Sequence, residues 1–261
     1  MNITIANIST QVSATQLQSA VSAIGQQITQ HFEPEWHIAA TLNGTALSLK
    51  GKAPIQQDTD AIIYLGDSSQ DPTTGVQGAL GYHATNHAKI PYGFIYLDIC
   101  EKYGEVWTCT LSHEVLELLG DPDAVMTVTG PAPKGKGKGD VYYDLEVCDP
   151  TQGDSYKIGD VVVSNFVGRS YFGMTGGSGN TNYLKLPLTP FGVRPKGYFQ
   201  YEDKTGAHQV YGKQVTKSML AAKALMEDGR RNERRKERLE KAMKAARGAP
   251  SRTKAKKKRS R

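Results

Sequence analysis

Apolar residues along this chain recur with two periods. Asn2 to Ile8 alternates apolar and polar positions, as a strand does. Ser13 to His31 instead spaces Leu17, Val21, Ile24 and Ile28 three and four residues apart, the period of an amphipathic helix that Ser13 can cap. Trp36 to Leu42 and Asp60 to Leu65 predict two more strands, with Asn43-Gly44 as a turn signal before the short run Ala46 to Leu49. Gly66 to Pro91 is glycine-rich and reads as irregular, and Gly93 to Ile99 predicts the next strand. A helix follows from about Glu105 to Leu119, apolar over most of its surface.

Beyond that helix, Pro131 to Gly139 interleaves Lys with Gly and reads as a flexible loop outside the core. Val161 to Val167 is β-rich, and Tyr171-Phe172-Gly173-Met174 is an aromatic segment. Thr216 to Ala246 has helical composition interrupted at Gly229. The pattern predicts an α/β (α+β) domain over residues 1–212, a mixed sheet with a buried helix, followed by a helical basic tail over residues 213–261.

The helix from Glu105 carries the candidate chemistry. At 100° per residue, His113, Glu114 and Glu117 share an arc of roughly 100°, opposite Leu111, Val115, Leu118 and Leu119. His113 and Glu117, four residues apart, can share one cation, and Glu114 beside them can hold an attacking water. Gly120 can end the helix in the left-handed conformation and Pro122 cannot continue it, so Asp121 or Asp123 can swing back as a third ligand. Glu146 and Asp149 are further carboxylate candidates, and Asp149 also suits the capping of a turn around Pro150. In the irregular segment, Tyr82, His83 and His87 offer a phenol and imidazoles that could steady a developing oxyanion.

Read as a pattern, His113 to Asp123 is H-E-x-x-E-x-x-G-x-x-D. It resembles the metzincin signature H-E-x-x-H-x-x-G-x-x-H or D, with Glu117 where that family has its second histidine and Asp123 at the last ligand position. The resemblance implies a zincin-like fold, a Zn2+ or other divalent cofactor, Glu114 as catalytic base and a peptide or protein substrate. It also implies Phe94-Ile95-Tyr96-Leu97 as the cleft's upper rim and Met174 in a turn beneath the metal. In the glutamate-type zincins a later glutamate is the third ligand, which here would be Glu146. The departure at Glu117 adds an anion to the site and makes a bound water less acidic, so turnover would be slow or lost.

Gly81-Tyr82-His83, Ser112 to Glu117, Leu145 to Pro150 and Val163 to Phe166 together resemble a family of largely uncharacterised proteins from phages and bacterial genomes, over roughly residues 60–212. In that family an Asp-Pro recurs after the helix, which favours Asp121 over Asp123. This resemblance implies a bacterial cytoplasm or a phage virion as the location, with self-association or virion assembly as partner interactions. It equally admits a noncatalytic virion protein on a zincin-like scaffold.

Charge divides the chain. Residues 229–261 hold 16 Lys and Arg against three Glu, a net +13, so residues 1–228 carry −7 of the overall +6. Lys254, Lys256, Lys257, Lys258 and Arg259 end a segment too basic and too poor in apolar residues to fold alone, and they point to nonspecific nucleic-acid binding through phosphate. No aromatics interleave these charges, which argues against base stacking. Cys100, Cys109 and Cys148 are an odd number without a C-x-x-C pair and read as core thiols. No segment approaches the ~20 apolar residues of a membrane span, and Met1 to Gln11 lacks the pattern of a signal peptide.

Overall fold

The computed structural model describes residues 1–46, 59–68, 81–85 and 90–215. Their fold mixes helices with three sheets, the α/β class expected from the two periods. The basic tail, His87 and the run after Ala46 lie outside the described residues.

The first sheet has five strands in the order β2-β1-β3-β5-β4. Here β1 is Asn2–Asn7, β2 Thr41–Ala46, β3 Ala61–Gly66, β4 Gly81–Thr85 and β5 Pro91–Tyr96. β1, β2, β3 and β5 run parallel, and β4 pairs antiparallel with β5. Alternation assigns the faces. Ile3, Ile5, Ile63, Leu65 and Ile95 enter the main core, whereas Ala6, Ile62 and Tyr64 cluster separately with Phe94.

Helix α1, Ala14–Gln27, begins at the Ser13 cap: Ser13 Oγ accepts from Gln16 N–H, and Gln16 reaches back to Ser13 N–H. It lays Leu17, Val21 and Ile24 onto the sheet, continues through a π-helical turn, Ile28–Phe32, and ends in the short α2, Glu33–Trp36. The strand expected from Trp36 to Leu42 is therefore helix at its start; His37, in the left-handed conformation, turns the chain, and β2 begins at Thr41. Asn43-Gly44 is not a turn but lies inside β2. A Cβ on Gly44 would stand 3.0 Å from Val21, so glycine there answers to the helix pressing on the strand.

Two elements went unforeseen. β4 occupies part of the segment read as irregular, and α3, Leu97–Tyr103, takes the end of the strand expected to reach Ile99. Phe94 to Tyr96 consequently lies in an inner strand between β3 and β4, Leu97 opens α3, and the edge position falls to β4. Helix α4, Trp107–Gly120, follows and packs against β4, β5 and β9.

The second half is antiparallel. β6, Thr127–Pro131, and β7, Asp140–Asp144, form a hairpin whose largely exposed tip is the Lys-Gly loop. β10, Tyr198–Asp203, and β11, Gly206–Tyr211, complete a sheet ordered β11-β10-β7-β6. β8, Ser155–Ile158, and β9, Val161–Ser164, form a separate hairpin. One hydrophobic cluster runs from Ile3 through α4 to Cys148, Phe166 and Phe172. Among the described residues no helix is long and apolar enough to cross a membrane.

Ile63 is fully buried between the parallel strands and α1. Ile63→Ala leaves a cavity that the sheet cannot close, and is expected to cost about 2–5 kcal/mol in chemical denaturation; a loss within error of zero would show that the site repacks.

Candidate metal centre

Every residue of α4 from Leu111 to Gly120 is buried, the polar ones included. Leu111, Val115, Leu116, Leu118 and Leu119 account for this by joining the main core, and they carry His113, Glu114 and Glu117 inside with them. His113 Nε2 lies 3.2 Å from Glu117 Oε1, as the i,i+4 spacing requires.

The third group comes from Asp149, at the start of a single 3-10 turn, Asp149–Thr151, with its Oδ1 3.3 Å from His113 Nε2. Gly120 explains the approach. It stays helical, with no left-handed backbone, and a Cβ on it would stand 3.1 Å from Val147 Cγ1. The chain leaving β7 thus crosses the end of α4 in close contact and returns alongside Glu117. Cys148 N–H and Asp149 N–H both donate to Glu117 Oε1, at 3.4 and 3.3 Å.

One ligand atom from each of His113, Glu117 and Asp149 lies within 4.8 Å of the other two. Bonds of ~2.0–2.2 Å to a tetrahedral cation would separate ligand atoms by roughly 3.3–3.6 Å. The two distances from His113 Nε2 are close to that spacing. A single imidazole nitrogen carries at most one proton, so it cannot donate fully to two carboxylates at once; a divalent cation would satisfy all three groups. The residues present therefore fit a metal ion.

Electrostatics describes the metal-free state. Burial first, and then the charges of Asp149 and Glu146, push the Glu117 carboxyl up to about 8. Burial alone would lower His113, but the Glu117 charge, hydrogen bonds to Asp149 and Glu117, and the Glu114 charge outweigh it and hold the imidazole well above its ordinary value. Burial likewise raises the Cys148 thiol, and Cys109 to about 11, so both stay neutral; Cys100 and Cys148 are core thiols, whereas Cys109 is half-buried outside the core cluster.

The remaining sequence candidates fall elsewhere or beside this trio. Asp121 caps α4, its Oδ2 accepting from Met126 N–H at 2.7 Å, and is not part of the trio. Asp123 is exposed. Glu114 is buried next to His113, on whose pKa its charge acts, and Glu146 is buried close enough to influence Glu117. Tyr82 and His83 lie on the edge strand β4. Met174 follows the 3-10 turn Arg169–Phe172 and packs at the margin of the main core. Tyr198 was not anticipated: its buried phenol hydrogen-bonds Asp149 from the first residue of β10, a placement that no local pattern around Tyr198 encodes.

Comparison with protein-family models, curated proteins and solved structures finds no match to this chain.

Metal loading has to displace the proton that the His113–Glu117 pair shares in the metal-free state. Both groups are raised, so zinc affinity is expected to climb from about pH 6 to about pH 8, with that proton released on binding. Competition titration against a chelator measures this; a flat profile would place the zinc on other groups.

Proposed function

We propose that this chain is a zinc-dependent hydrolase of the zincin type, a metallopeptidase, whose metal is held by His113, Glu117 and Asp149. The observation supporting this reading is the shared position of His113 Nε2 between two carboxylate oxygens, one from its own helix and one from a distant turn. When bound, the cation would supply Lewis-acid polarisation. Glu114, next to His113, would accept a proton from the attacking water and pass it to the leaving amine. Tyr198 would hold the Asp149 carboxylate in place as an outer hydrogen-bond donor.

One observation favours a second reading, in which the same fold serves as a noncatalytic scaffold such as a virion component. His113 is 9% exposed, Asp149 4% and Glu117 2%. Enclosure of this degree is the habit of structural metal sites, whereas catalytic ones keep a position open. Casein cleavage with and without chelator separates the two. Under the hydrolase reading, cleavage is abolished by chelator and, in Glu114→Gln, falls by at least about 100-fold with metal content unchanged. Cleavage by Glu114→Gln at the parent rate would remove Glu114 from the chemistry, and a metal-loaded parent without cleavage favours the scaffold.

We also propose that residues 229–261 bind nucleic acid through phosphate. The support is charge alone: the +13 of this segment stands against −7 in the rest of the chain. Truncation after Asp228 is expected to abolish duplex DNA binding, and affinity of the full chain is expected to fall steeply with added salt. Equal binding by the truncated chain, or a salt-insensitive affinity, would make the segment a solubilising or partner-docking one.

A further inference from the structure

A cavity of about 430 Å3 opens between the end of the long N-terminal helix and the irregular segment 166–185. None of His113, Glu117 or Asp149 lines it, so its chemistry is separate from the metal centre.

Its wall is fixed by His31, in the π-helical turn. His31 stacks on Tyr183 with ring centroids 4.5 Å apart, and its Nδ1 lies 2.8 Å from the Tyr156 hydroxyl. That hydroxyl also accepts from Gln27 Nε2 at 3.1 Å, which leaves its own proton available to His31 Nδ1. In that arrangement Nδ1 accepts and His31 presents its hydrogen on Nε2. Burial lowers its pKa, which keeps the ring neutral.

The remaining lining groups divide by role. Acceptors are mostly committed: Glu35 takes Arg169 N–H on one oxygen and Ser178 N–H on the other, at 2.9 and 2.7 Å. Asn182 Oδ1 takes Asn165 Nδ2 and Leu186 N–H, and Gln30 Oε1 takes Gln26 Nε2. The Asn180 side-chain Oδ1 is the exception, its backbone carbonyl accepting from Ser170 Oγ. Donors, in contrast, remain available in the Gln30 amide, His31 Nε2–H, the Ser178 and Tyr183 hydroxyls and the Lys185 ammonium, which has no acidic partner among the described residues. Lys185 also sits at φ 55°, a left-handed backbone that an L-residue holds only when its surroundings enforce it. Arg169, bonded through Nε to Thr175 O, stands beside Gly176 outside the lining.

From this surplus of donors, with the Lys185 ammonium set against a Glu35 carboxylate already bonded to two amides, we infer that the cavity is a binding site for a small anionic molecule with several acceptor oxygens, a phosphate monoester or a carboxylic acid. The oxyanion pairs with Lys185 and takes the His31 Nε2–H, and the volume exceeds what a bare oxyanion fills, leaving room for an organic body.

The test follows the His31 imidazole by NMR in the full-length protein at constant ionic strength, the signal being assigned with His31→Gln. Inorganic phosphate, glucose 6-phosphate, succinate and glucose are titrated separately. Because the readout sits at His31, phosphate held by residues 229–261 does not enter it. An oxyanion is expected to shift the His31 signal saturably, with glucose inert, and Lys185→Met is expected to weaken that binding about tenfold. A response to phosphates alone or to succinate alone identifies the class of oxyanion. The inference is overturned if no anion moves His31, if glucose moves it as strongly, or if Lys185→Met titrates like the parent.

Discussion

Burial of a charged helix face is the constraint on which the rest of this structure depends. A helix apolar on all sides enters a core at little cost, but α4 takes a histidine and two glutamates in with it, and desolvation of such groups is expensive unless they are met by partners. Polar partners for the helix come from two neighbouring parts of the chain, the turn after β7 and β9. Asp149 and the Cys148 and Asp149 amides reach Glu117 and His113 from the turn after β7, while Ser112 Oγ accepts from Ser164 N–H at 2.6 Å and Thr108 Oγ1 donates to Val162 O at 2.7 Å. Polar contacts thus fix β9 and the turn at Asp149 against α4, where apolar packing alone would allow them to slide.

The sequence exposed this helix because its apolar surface and the His113-Glu117 spacing are both local. Its third partner is not. Whether Asp121, Asp123, Glu146 or Asp149 meets His113 depends on where Val147 crosses Gly120, a packing decision made some 30 residues along the chain. Tyr198 arrives from still further away, through pairing of β10 with β7. Strand β1 and helix α1 were readable from alternation and from the Ser13 cap, whereas β4, Gly-Tyr-His-Ala-Thr, has no apolar run to announce it and is a strand because β5 offers it an edge. Asn43-Gly44 misled for the opposite reason. The local turn signal is real, but tertiary contact with Val21 gives the glycine another use.

Residues 165–197 contain almost no regular structure, yet side chains do there what ladders do elsewhere. Asn165 and Asn182 bond each other and the backbone on both sides, Glu35 binds two amides of the segment, and Arg194 grips Asp154 through Nε at 2.8 Å. Trp36 Nε1 adds a bond to Val167 O at 2.9 Å. The helix that opens the chain is therefore the anchor for its most irregular part.

That anchorage rests on a matter of counting. Ile28, Phe32 and Trp36 are all buried, at a spacing of four rather than the 3.6 of an α-helix, and the wide turn at Ile28–Phe32 absorbs the difference. It acts as a phase shifter holding one residue more than the regular helix would. Tightening that turn to ordinary α geometry with all its residues kept would rotate everything beyond it by ~100°. Trp36 would swing away from Val167 and Glu35 from its two amides, although no residue in contact with them had changed. In a helix of this kind the width of the turn and the number of residues are matched to each other, so that removing one residue from the turn would return an ordinary helix with Trp36 and Glu35 still in phase.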